Sequence, residues 1–312
     1  MNDPSTIRNA GLSNHSDNVV DTEWCNRLHG LLEQKTGLVL TQSRSMVSHL
    51  LQDRLKTLGL SDFEDYFSLL SNPAGGKKEW PNLLSRLTVN ESYFFRDLDQ
   101  LSVVENHLIP ELLSQNGKDR DLTLWSAGCA SGEETYTLAI ILNNLLSESA
   151  DLKRRIQILG TDIDANCIKQ ARQGCFRSWS FRHLPRNILA TCFNKEEDDT
   201  YRIDPRLAAN IQFMELNLLE AGETLAWKFR FDLVLCRNVF IYLSPLAVQR
   251  ILAEIHTLMM PGGYLVTGHG EVDRQLMEKS GYVVRTFPQT QVYQKPASEG
   301  CYSLGASTGP EL

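Results

Sequence analysis

The sequence lacks long apolar runs and paired cysteines. No stretch of its 312 residues approaches the roughly 18 consecutive apolar residues of a membrane-spanning helix. The opening segment is polar and has no basic region followed by an apolar run, so no secretory signal is predicted. The seven cysteines show neither a C-x-x-C pair nor the spacing of metal ligands. We therefore expect a cytoplasmic protein with reduced thiols, no metal and no direct insertion into a membrane.

An excess of positive charge is also missing. The chain has 31 Lys and Arg residues against 38 Asp and Glu residues, which gives a formal net charge of -7. A protein that wraps nucleic acid needs a basic surface, so we expect no nucleic-acid partner, although this balance is compatible with a local basic patch. Both ends are polar and rich in small residues, which predicts disordered tails over residues 1–20 and 296–312.

Two regions of the chain differ in their periodicity. Residues 21–90 place apolar side chains at spacings of three and four, which predicts a small helical domain. Gly59 is placed to end one helix, and Ser61 with Glu64 has the capping-box spacing that would begin the next. In "RSMVSHLLQDRLKTLGL", Arg54 falls inside the apolar arc of the helix. It is either part of a buried ion pair or directed towards a partner, and the sequence favours neither interpretation.

The second region, residues 91–295, alternates strands with helices after about residue 120. This alternation predicts an α/β fold with a doubly wound sheet of parallel strands. The segments "YVVRTF" and "QVYQK" look like a hairpin that closes the sheet. Between Cys175 and Asn217 the alternation lapses, which indicates either an inserted subdomain, at about residues 176–212, or an elaborated crossover.

Polar residues follow the predicted strands at the edge where ligands of such sheets bind. The turn "SAGCASGEE" lacks the G-x-G-x-x-G spacing of a dinucleotide site and places Glu133 and Glu134 where a phosphate would lie. Asp162 ends the second strand, where an acid suits the two hydroxyls of a ribose. These features describe a nucleoside with a cationic, amino-acid-like tail. S-adenosylmethionine fits that description.

The segment "LTVNESYFFRD", residues 87–97, sets Arg96 behind three aromatic residues. Removing a charge from water costs on the order of several kcal/mol unless the charge is paired. Arg96 therefore either snorkels from a core segment to the surface or is compensated by a bound carboxylate.

Six segments together resemble the CheR family, the chemotaxis methyltransferases that esterify glutamates on chemoreceptors. They are "NESYFFRD", "WSAGCASGEETYTLA", "GTDIDANCIKQAR", "LNLLE", "FDLVLCRNVFIYL" and "PGGYL", over roughly residues 25–290. The resemblance implies a class I methyltransferase sheet, Rossmann-like, with an N-terminal helical domain and a small inserted β-subdomain. It also implies S-adenosyl-L-methionine as cofactor, S-adenosyl-L-homocysteine as product, and the cytoplasmic helical domain of chemoreceptors as partner. We expect the enzyme to act as a monomer.

The same resemblance assigns residues to roles. The expected cofactor contacts are Asn90, Ser92, Arg96, Glu134, Asp162, Asn217, Leu218, Arg237 and Asn238. Arg96 and Tyr242 would line the methyl-transfer site. Because a net acidic enzyme has to reach glutamate-rich helices through a local basic patch, we expect Arg44, Arg54 and Lys56 to face the receptor.

One segment departs from the family members that tether to a receptor's C-terminal pentapeptide. Those members have a glycine-containing loop in the β-subdomain, whereas "FNKEEDDTYRI" is shorter and has no glycine. We therefore expect activity that does not depend on the tether. The sequence disfavours two other functions. A methyltransferase for RNA or a small molecule is disfavoured by the acidic balance, and a non-catalytic interaction protein is disfavoured because every expected site residue is present.

Overall fold

The computed structural model describes residues 22–117, 120–147, 155–288 and 290–297. The predicted tail over residues 1–20, and the predicted tail 296–312 apart from its first two residues, lie outside the described residues. Within the described part of the chain, no helix combines the length and apolar character needed to cross a membrane.

The first region contains four helices around its own core. They are α1 (Thr22–Thr36), α2 (Arg44–Leu58), α3 (Phe63–Ser71) and α4 (Pro73–Leu87). The left-handed Gly59, with φ of 67°, ends α2 as predicted. The predicted capping box of Ser61 and Glu64 is wrong, because Asp62 accepts the Asp65 N–H and begins α3. Glu64 instead forms an ion pair with Arg27 at 2.7 Å.

Arg54 is buried in this helical core. Its guanidinium donates two hydrogen bonds to the Glu79 carboxylate, both at 2.8 Å, and the Tyr66 hydroxyl donates to the same carboxylate at 2.9 Å. Arg54 is 5% exposed and Glu79 is 3% exposed. The expectation that Arg54 faces the receptor is therefore wrong, and the alternative interpretation, a buried ion pair, describes its position.

The second region begins with an interrupted helix and continues as alternating strands and helices. The opening elements are α5 (Leu98–Val103), a π-helical turn (Val104–Leu108) and α6 (Ile109–Asn116). The rest are β1 (Leu122–Ala127), α7 (Glu133–Leu145), β2 (Ile156–Asp162), α8 (Ala165–Gln173), β3 (Cys175–Arg177), α9 (Arg186–Cys192), β4 (Phe193–Lys195), β5 (Thr200–Ile203), α10 (Pro205–Ala208), β6 (Ile211–Glu215), α11 (Ala221–Leu225), β7 (Phe231–Cys236), α12 (Pro245–Leu258), β8 (Met259–Thr267), α13 (Arg274–Lys279), β9 (Val283–Thr286) and β10 (Gln291–Gln294).

Within the described residues, the main sheet has seven strands in the order β6-β2-β1-β7-β8-β10-β9. The first five are parallel, and β9 and β10 form the predicted antiparallel hairpin at one edge. The chain moves outward from β1 to β6 and returns on the other side of β1 with β7, so strand order reverses there. Adjacent residues Leu124 and Trp125 on β1 belong to two different core clusters. The predicted doubly wound α/β fold is confirmed.

The segment between α8 and β6 contains a separate sheet. Strands β3, β5 and β4 pair antiparallel in that order. Phe94, from the loop before α5, packs on Phe176, Phe181 and Phe193 of this segment with ring centres 4.8 to 5.2 Å apart. The lapse in alternation is thus an inserted β-subdomain, and its aromatic core is shared with the "FFRD" loop.

The helical region is joined to the sheet by a short backbone pairing. Val39 N–H donates to the Tyr242 carbonyl and Ser244 N–H donates to the Gly37 carbonyl, both at 2.9 Å. Gly37 has a φ of 76°, and a Cβ at this position would lie 2.5 Å from Ala247 Cβ. The close approach therefore requires glycine, and it brings residues 37–41 over the carboxyl end of the sheet.

Candidate active site

One pocket lies at the carboxyl ends of the parallel strands, beneath the segment that follows α1. Its lining includes every residue predicted for the cofactor and the methyl-transfer site, namely Asn90, Ser92, Arg96, Glu134, Asp162, Asn217, Leu218, Arg237, Asn238 and Tyr242. Arg44, Arg54 and Lys56 do not line it. The structure thus brings the predicted residues together, while the role of each stays a prediction.

The turn after β1 forms one wall of the pocket. Gly128 has a φ of 77°, and a Cβ there would lie 2.4 Å from the Val239 side chain. The N–H groups of Gly128 and Cys129 donate to the Thr161 carbonyl at 2.8 and 2.9 Å, which fixes the turn against β2. Without a side chain at residue 128, the backbone of this turn stays close to the residues that follow β7.

Asp162 is held rigidly at the end of β2. Its carboxylate accepts the Ala130 N–H at 2.8 Å and the Asp164 N–H at 2.9 Å. Burial raises the pKa of this carboxyl to about 6, although the backbone donors act in the opposite direction. Each carboxylate oxygen has a further lone pair, so the half-buried group can still accept hydrogen bonds from a ligand in the pocket.

Arg237 organises the side of the pocket near β7. It is 6% exposed, and its guanidinium donates to Gln100 Oε1 at 2.8 Å, to Glu134 Oε2 at 3.1 Å and to the Arg96 carbonyl at 2.6 Å. Glu134 also accepts the Ser126 hydroxyl at 2.8 Å. Much of the donor capacity of Arg237 is therefore used to position Glu134 and the Arg96 turn.

Sequence reasoning missed Gln100 and the role of Glu133. Gln100 is 2% exposed and donates Nε2 to the Thr267 carbonyl at 2.8 Å, which joins α5 to the end of β8. Glu133 accepts the hydroxyls of Ser131 and Ser180 at 2.8 and 3.1 Å, and burial raises the pKa of its carboxyl. Apart from Ser131, which is two residues from Glu133, the partners are distant in the chain, because Thr267 lies 167 residues from Gln100 and Ser180 lies 47 from Glu133.

Arg96 lies in a turn with an unusual backbone. Phe95 and Asp97, on either side of it, have φ of 57° and 64°, in the left-handed region that non-glycine residues seldom adopt. The Arg96 guanidinium donates to the Glu91 carbonyl at 3.0 Å and lies 5.6 Å from the centre of the Tyr93 ring. Among the residues that the structure describes, no carboxylate pairs with it. The guanidinium thus retains donors for a ligand, and Arg96 lines the pocket.

Two asparagines connect the pocket to its surroundings. Asn217 caps the turn after β6 by accepting the Leu219 N–H at 3.2 Å, and it donates to the Lys35 carbonyl of α1 at 2.8 Å. Asn90 donates to the Asp164 carboxylate at 2.7 Å. Both link the helical region, or the loop that follows it, to strand ends. Two residues that line the pocket therefore also hold the helical region against the sheet.

The fold and the site define a class of protein. A doubly wound sheet with an acid at the end of β2, a glycine turn after β1 and carboxylates in place of a phosphate cradle is the arrangement of a class I, S-adenosylmethionine-dependent methyltransferase. No group of three or more potential metal ligands occurs in the described ranges.

Family comparison identifies the particular group. The family described as "CheR methyltransferase, SAM binding domain" matches residues 90–286, and "CheR methyltransferase, all-alpha domain" matches residues 25–88. The chain belongs to the CheR methyltransferase family. It is 32% identical to the chemotaxis protein methyltransferase of Escherichia coli over 78% of this chain and 82% of that one. It is 31% identical to chemotaxis protein methyltransferase 1 of Pseudomonas aeruginosa over 77% of this chain and 86% of that one.

Proposed function

We propose that the protein transfers a methyl group from S-adenosylmethionine to glutamate side chains of chemoreceptors and forms glutamate methyl esters. Membership of the CheR family supports methylation in chemotaxis. The observation that carries the glutamate assignment is Arg96, a half-buried cation on the pocket wall without a carboxylate partner among the described residues. A carboxylate ligand is the group that would complete its pairing.

The acidic side of the pocket suits the ribose and the cationic tail of the cofactor. Asp162 would accept the hydroxyls of the ribose, and Glu134 would lie near the cationic tail, because both carboxylates line the pocket and no phosphate cradle competes with them. Asn90, Ser92, Asn217, Leu218, Arg237 and Asn238 would complete the contacts. When bound, S-adenosylmethionine supplies a methyl group that is activated by a sulfonium charge.

The residues of the chain have an orienting task in this reaction. A glutamate side chain has an unperturbed pKa of about 4.3, so it is ionised at neutral pH and no general base is needed. Arg96 and Tyr242 line the same pocket and can donate hydrogen bonds that hold the acceptor carboxylate. Residues 38–41 line the same pocket and would shield a bound cofactor from water on that side. Such orientation can lower a barrier by roughly 7 to 11 kcal/mol in favourable intramolecular models.

The turn between β4 and β5 supports activity without a receptor tether. Residues 196–199 form this turn, which is closed by the Glu196 N–H donating to the Thr200 carbonyl at 2.8 Å and the Thr200 N–H donating to the Glu197 carbonyl at 3.2 Å. All four side chains of the turn are acidic and exposed, and within the described residues Glu196 alone among them pairs with an arginine, Arg202. An extended peptide that added to the edge of β4 would bring its terminal carboxylate near this acidic turn. The repulsion disfavours capture of an acidic C-terminal peptide.

A methylation assay tests the proposal. Purified enzyme, radiolabelled cofactor and the cytoplasmic fragment of a chemoreceptor should give labelled receptor, and base should release the label as methanol, which identifies an ester. Receptors with and without a C-terminal pentapeptide should be methylated equally, and titration of the free pentapeptide should show no binding in the micromolar range. Label that resists base would rule out the glutamate ester, and activity lost with the tail would rule out independence from the tether.

A further inference from the structure

Three side chains beside the pocket form a stack at the surface, here named the arginine stack, which consists of Tyr93, Trp179 and Arg182. Arg182 Cζ lies 3.6 Å from the centre of the Tyr93 ring and 4.3 Å from that of Trp179. Trp179 is 66% exposed. Tyr93 is half-buried and the Arg182 side chain is 19% exposed, so Trp179 is the exposed member of the stack. Trp, Tyr and Arg are the residue types that contribute most to binding at protein interfaces, so a stack of all three that exposes its tryptophan indicates a contact surface.

The arginine stack is held in place before any partner binds. Arg182 donates to the Trp179 carbonyl at 3.0 Å and to the Glu91 carboxylate at 3.2 Å. Directly beneath, Phe181 stacks on Phe94 with ring centres 5.2 Å apart and planes 4° apart. A partner would therefore meet ordered side chains, and binding would cost little additional side-chain entropy.

A shallow depression continues from the stack between α8 and the inserted subdomain. Its lining includes Lys169, Gln170, Gln173, Arg177, Trp179 and Thr200. Lys169 and Arg177 are both exposed, and no carboxylate belongs to the described lining. On a protein with a formal net charge of -7, Lys169 and Arg177 give this depression two exposed cations. The acidic turn of residues 196–199 borders it, where Glu196 Oε2 lies 3.8 Å from Cys175 Sγ and Asp199 accepts the Ser178 hydroxyl, so an acidic segment would lie on the side of Lys169 and Arg177 and away from that turn.

The stack also reaches the active-site pocket. Tyr93 lines that pocket, and Arg96 Cζ lies 5.6 Å from the centre of its ring. Arg96, Tyr93, Arg182 and Trp179 thus form a continuous row from the pocket wall to the depression. A segment that inserts one carboxylate beside Arg96 can contact the rest of the row with its neighbouring residues.

We propose that the arginine stack and the Lys169–Arg177 depression dock the acidic helical segment that presents its glutamate to the pocket. The inference rests on the proposed function and adds the place where the segment lies outside the pocket. A helix advances 1.5 Å per residue, so the residues that flank the acceptor glutamate necessarily extend over the pocket rim. Their carboxylates complement Lys169 and Arg177, and their apolar side chains can cover Trp179.

Kinetics with surface variants test this inference. The variants are Trp179→Ala and the double charge reversal Lys169→Glu with Arg177→Glu, all at exposed positions whose replacement should leave the fold intact. We expect the KM for the receptor fragment to rise roughly tenfold or more in each. The kcat and the calorimetric affinity for S-adenosylhomocysteine should not change, because none of the three residues lines the active-site pocket. Amidation of the carboxylates that flank the acceptor should remove the effect of the charge reversal.

Two variants elsewhere on the surface provide matched controls. Trp227 is 80% exposed and Lys279 is exposed at the end of α13, and neither belongs to the stack or lines the depression. Trp227→Ala makes the same change as Trp179→Ala, and Lys279→Glu reverses one surface charge. If the stack and depression variants behave like these controls while the unmodified enzyme methylates the fragment, the docking surface is wrong and the proposed function stands. If the unmodified enzyme does not methylate the fragment, the proposed function is wrong, and the proposed docking surface, which rests on it, is wrong as well.

Discussion

The helical region and the pocket region each contain a half-buried or buried arginine, and the two are satisfied differently. Arg54, in the helical region, has the Glu79 carboxylate within 2.8 Å and a tyrosine hydroxyl on the same acid. Arg96, at the pocket, has a carbonyl and an aromatic ring but no carboxylate among the described residues. A cation that the fold itself compensates is part of the scaffold, whereas an uncompensated cation in a pocket is available for a ligand.

The largest effect should come from breaking the pair in the helical region. Glu79→Ala leaves Arg54 buried without its partner, so the free energy of unfolding should fall by about 3 to 5 kcal/mol in urea denaturation. Arg86→Ala is the control, because its ion pair with Asp53 is half exposed and should contribute no more than about 1 kcal/mol. Equal losses of unfolding free energy in the two variants would show that burial does not determine how much an ion pair contributes to stability here.

Removal of the pocket arginine should affect activity and leave stability intact. Arg96→Ala should lower kcat/KM by roughly 100-fold, as expected for the loss of one preorganised donor. Its free energy of unfolding should stay within about 0.5 kcal/mol of the parent. Arg206→Ala, at a highly exposed arginine, should change neither quantity. A weaker affinity for S-adenosylhomocysteine would show that Arg96 holds the cofactor's carboxylate, and an unchanged affinity would show that it holds the acceptor's. If kcat/KM were unchanged and stability were lost, Arg96 would be a structural residue.

Asp162 should behave as a ligand-binding acid that the fold does not need. Loss of charged hydrogen bonds in Asp162→Asn should weaken S-adenosylhomocysteine binding by about 1.5 to 3 kcal/mol, measured by calorimetry. Burial raises the pKa of the Asp162 carboxyl from 3.8 to about 6, so the folded protein binds this proton more tightly than the unfolded chain does. The resulting contribution to stability is fully present below pH 3.8 and is lost as the pH rises through about 6. At pH 7 the ionised group therefore costs stability, but Asn has one acceptor oxygen for the two N–H groups of Ala130 and Asp164 and loses one hydrogen bond. Because the two effects oppose each other, the free energy of unfolding should change by no more than about 1 kcal/mol. Unchanged affinity would refute the ribose assignment.

The same acid predicts a pH profile for cofactor affinity. Protonation removes the acceptor character of the carboxylate, so the affinity for S-adenosylhomocysteine should be constant above about pH 7 and fall up to tenfold per unit below about 6. Calorimetric titrations between about pH 5 and pH 8 measure this profile. Asp162→Asn should flatten it, and a profile that persists in the variant would assign the titration to another group.

The smallest effect is expected on the exposed face of α2. Arg44 and Lys56 are exposed, unlike Arg54, and the double alanine variant should raise the KM for the receptor a few-fold without changing cofactor affinity. Because such contacts are screened, the difference from the parent should shrink as salt is added. A KM that is independent of both the substitutions and the salt would remove α2 from the receptor surface.

Features that depend on neighbouring residues in the chain were predicted better than contacts between residues distant in the chain. Gly59 and Asp162 were assigned correctly to a helix end and a strand end, because each depends on the residues beside it in the chain. Arg54 was placed correctly inside the apolar arc, yet its receptor role was wrong because Glu79 lies 25 residues away on another helix. Periodicity shows which face of a helix is buried and gives no information about the side chain it meets there.

The pocket shows the same division. Strand ends predicted which side chains would gather, because parallel strands bring their carboxyl ends to one edge of the sheet. The supports behind them were not predictable, since the Gln100 bonds to Arg237, Thr267 and Thr290 join residues 137 to 190 positions apart. Only the three-dimensional arrangement shows that Arg237 holds the Arg96 turn in place by donating a hydrogen bond to the Arg96 carbonyl.

The contact between Gly37 and Ala247 constrains how chimeric enzymes can be built from this chain. The two family matches divide near residue 89, which suggests that point as a crossover for exchanging helical domains. The packing boundary is elsewhere, because α1 approaches α12 so closely that a Cβ at residue 37 would lie 2.5 Å from that of Ala247. A donor domain with any side chain at the first position, or an acceptor with a larger one at the second, would wedge the halves apart and open the pocket. The two positions therefore have to be inherited as a pair.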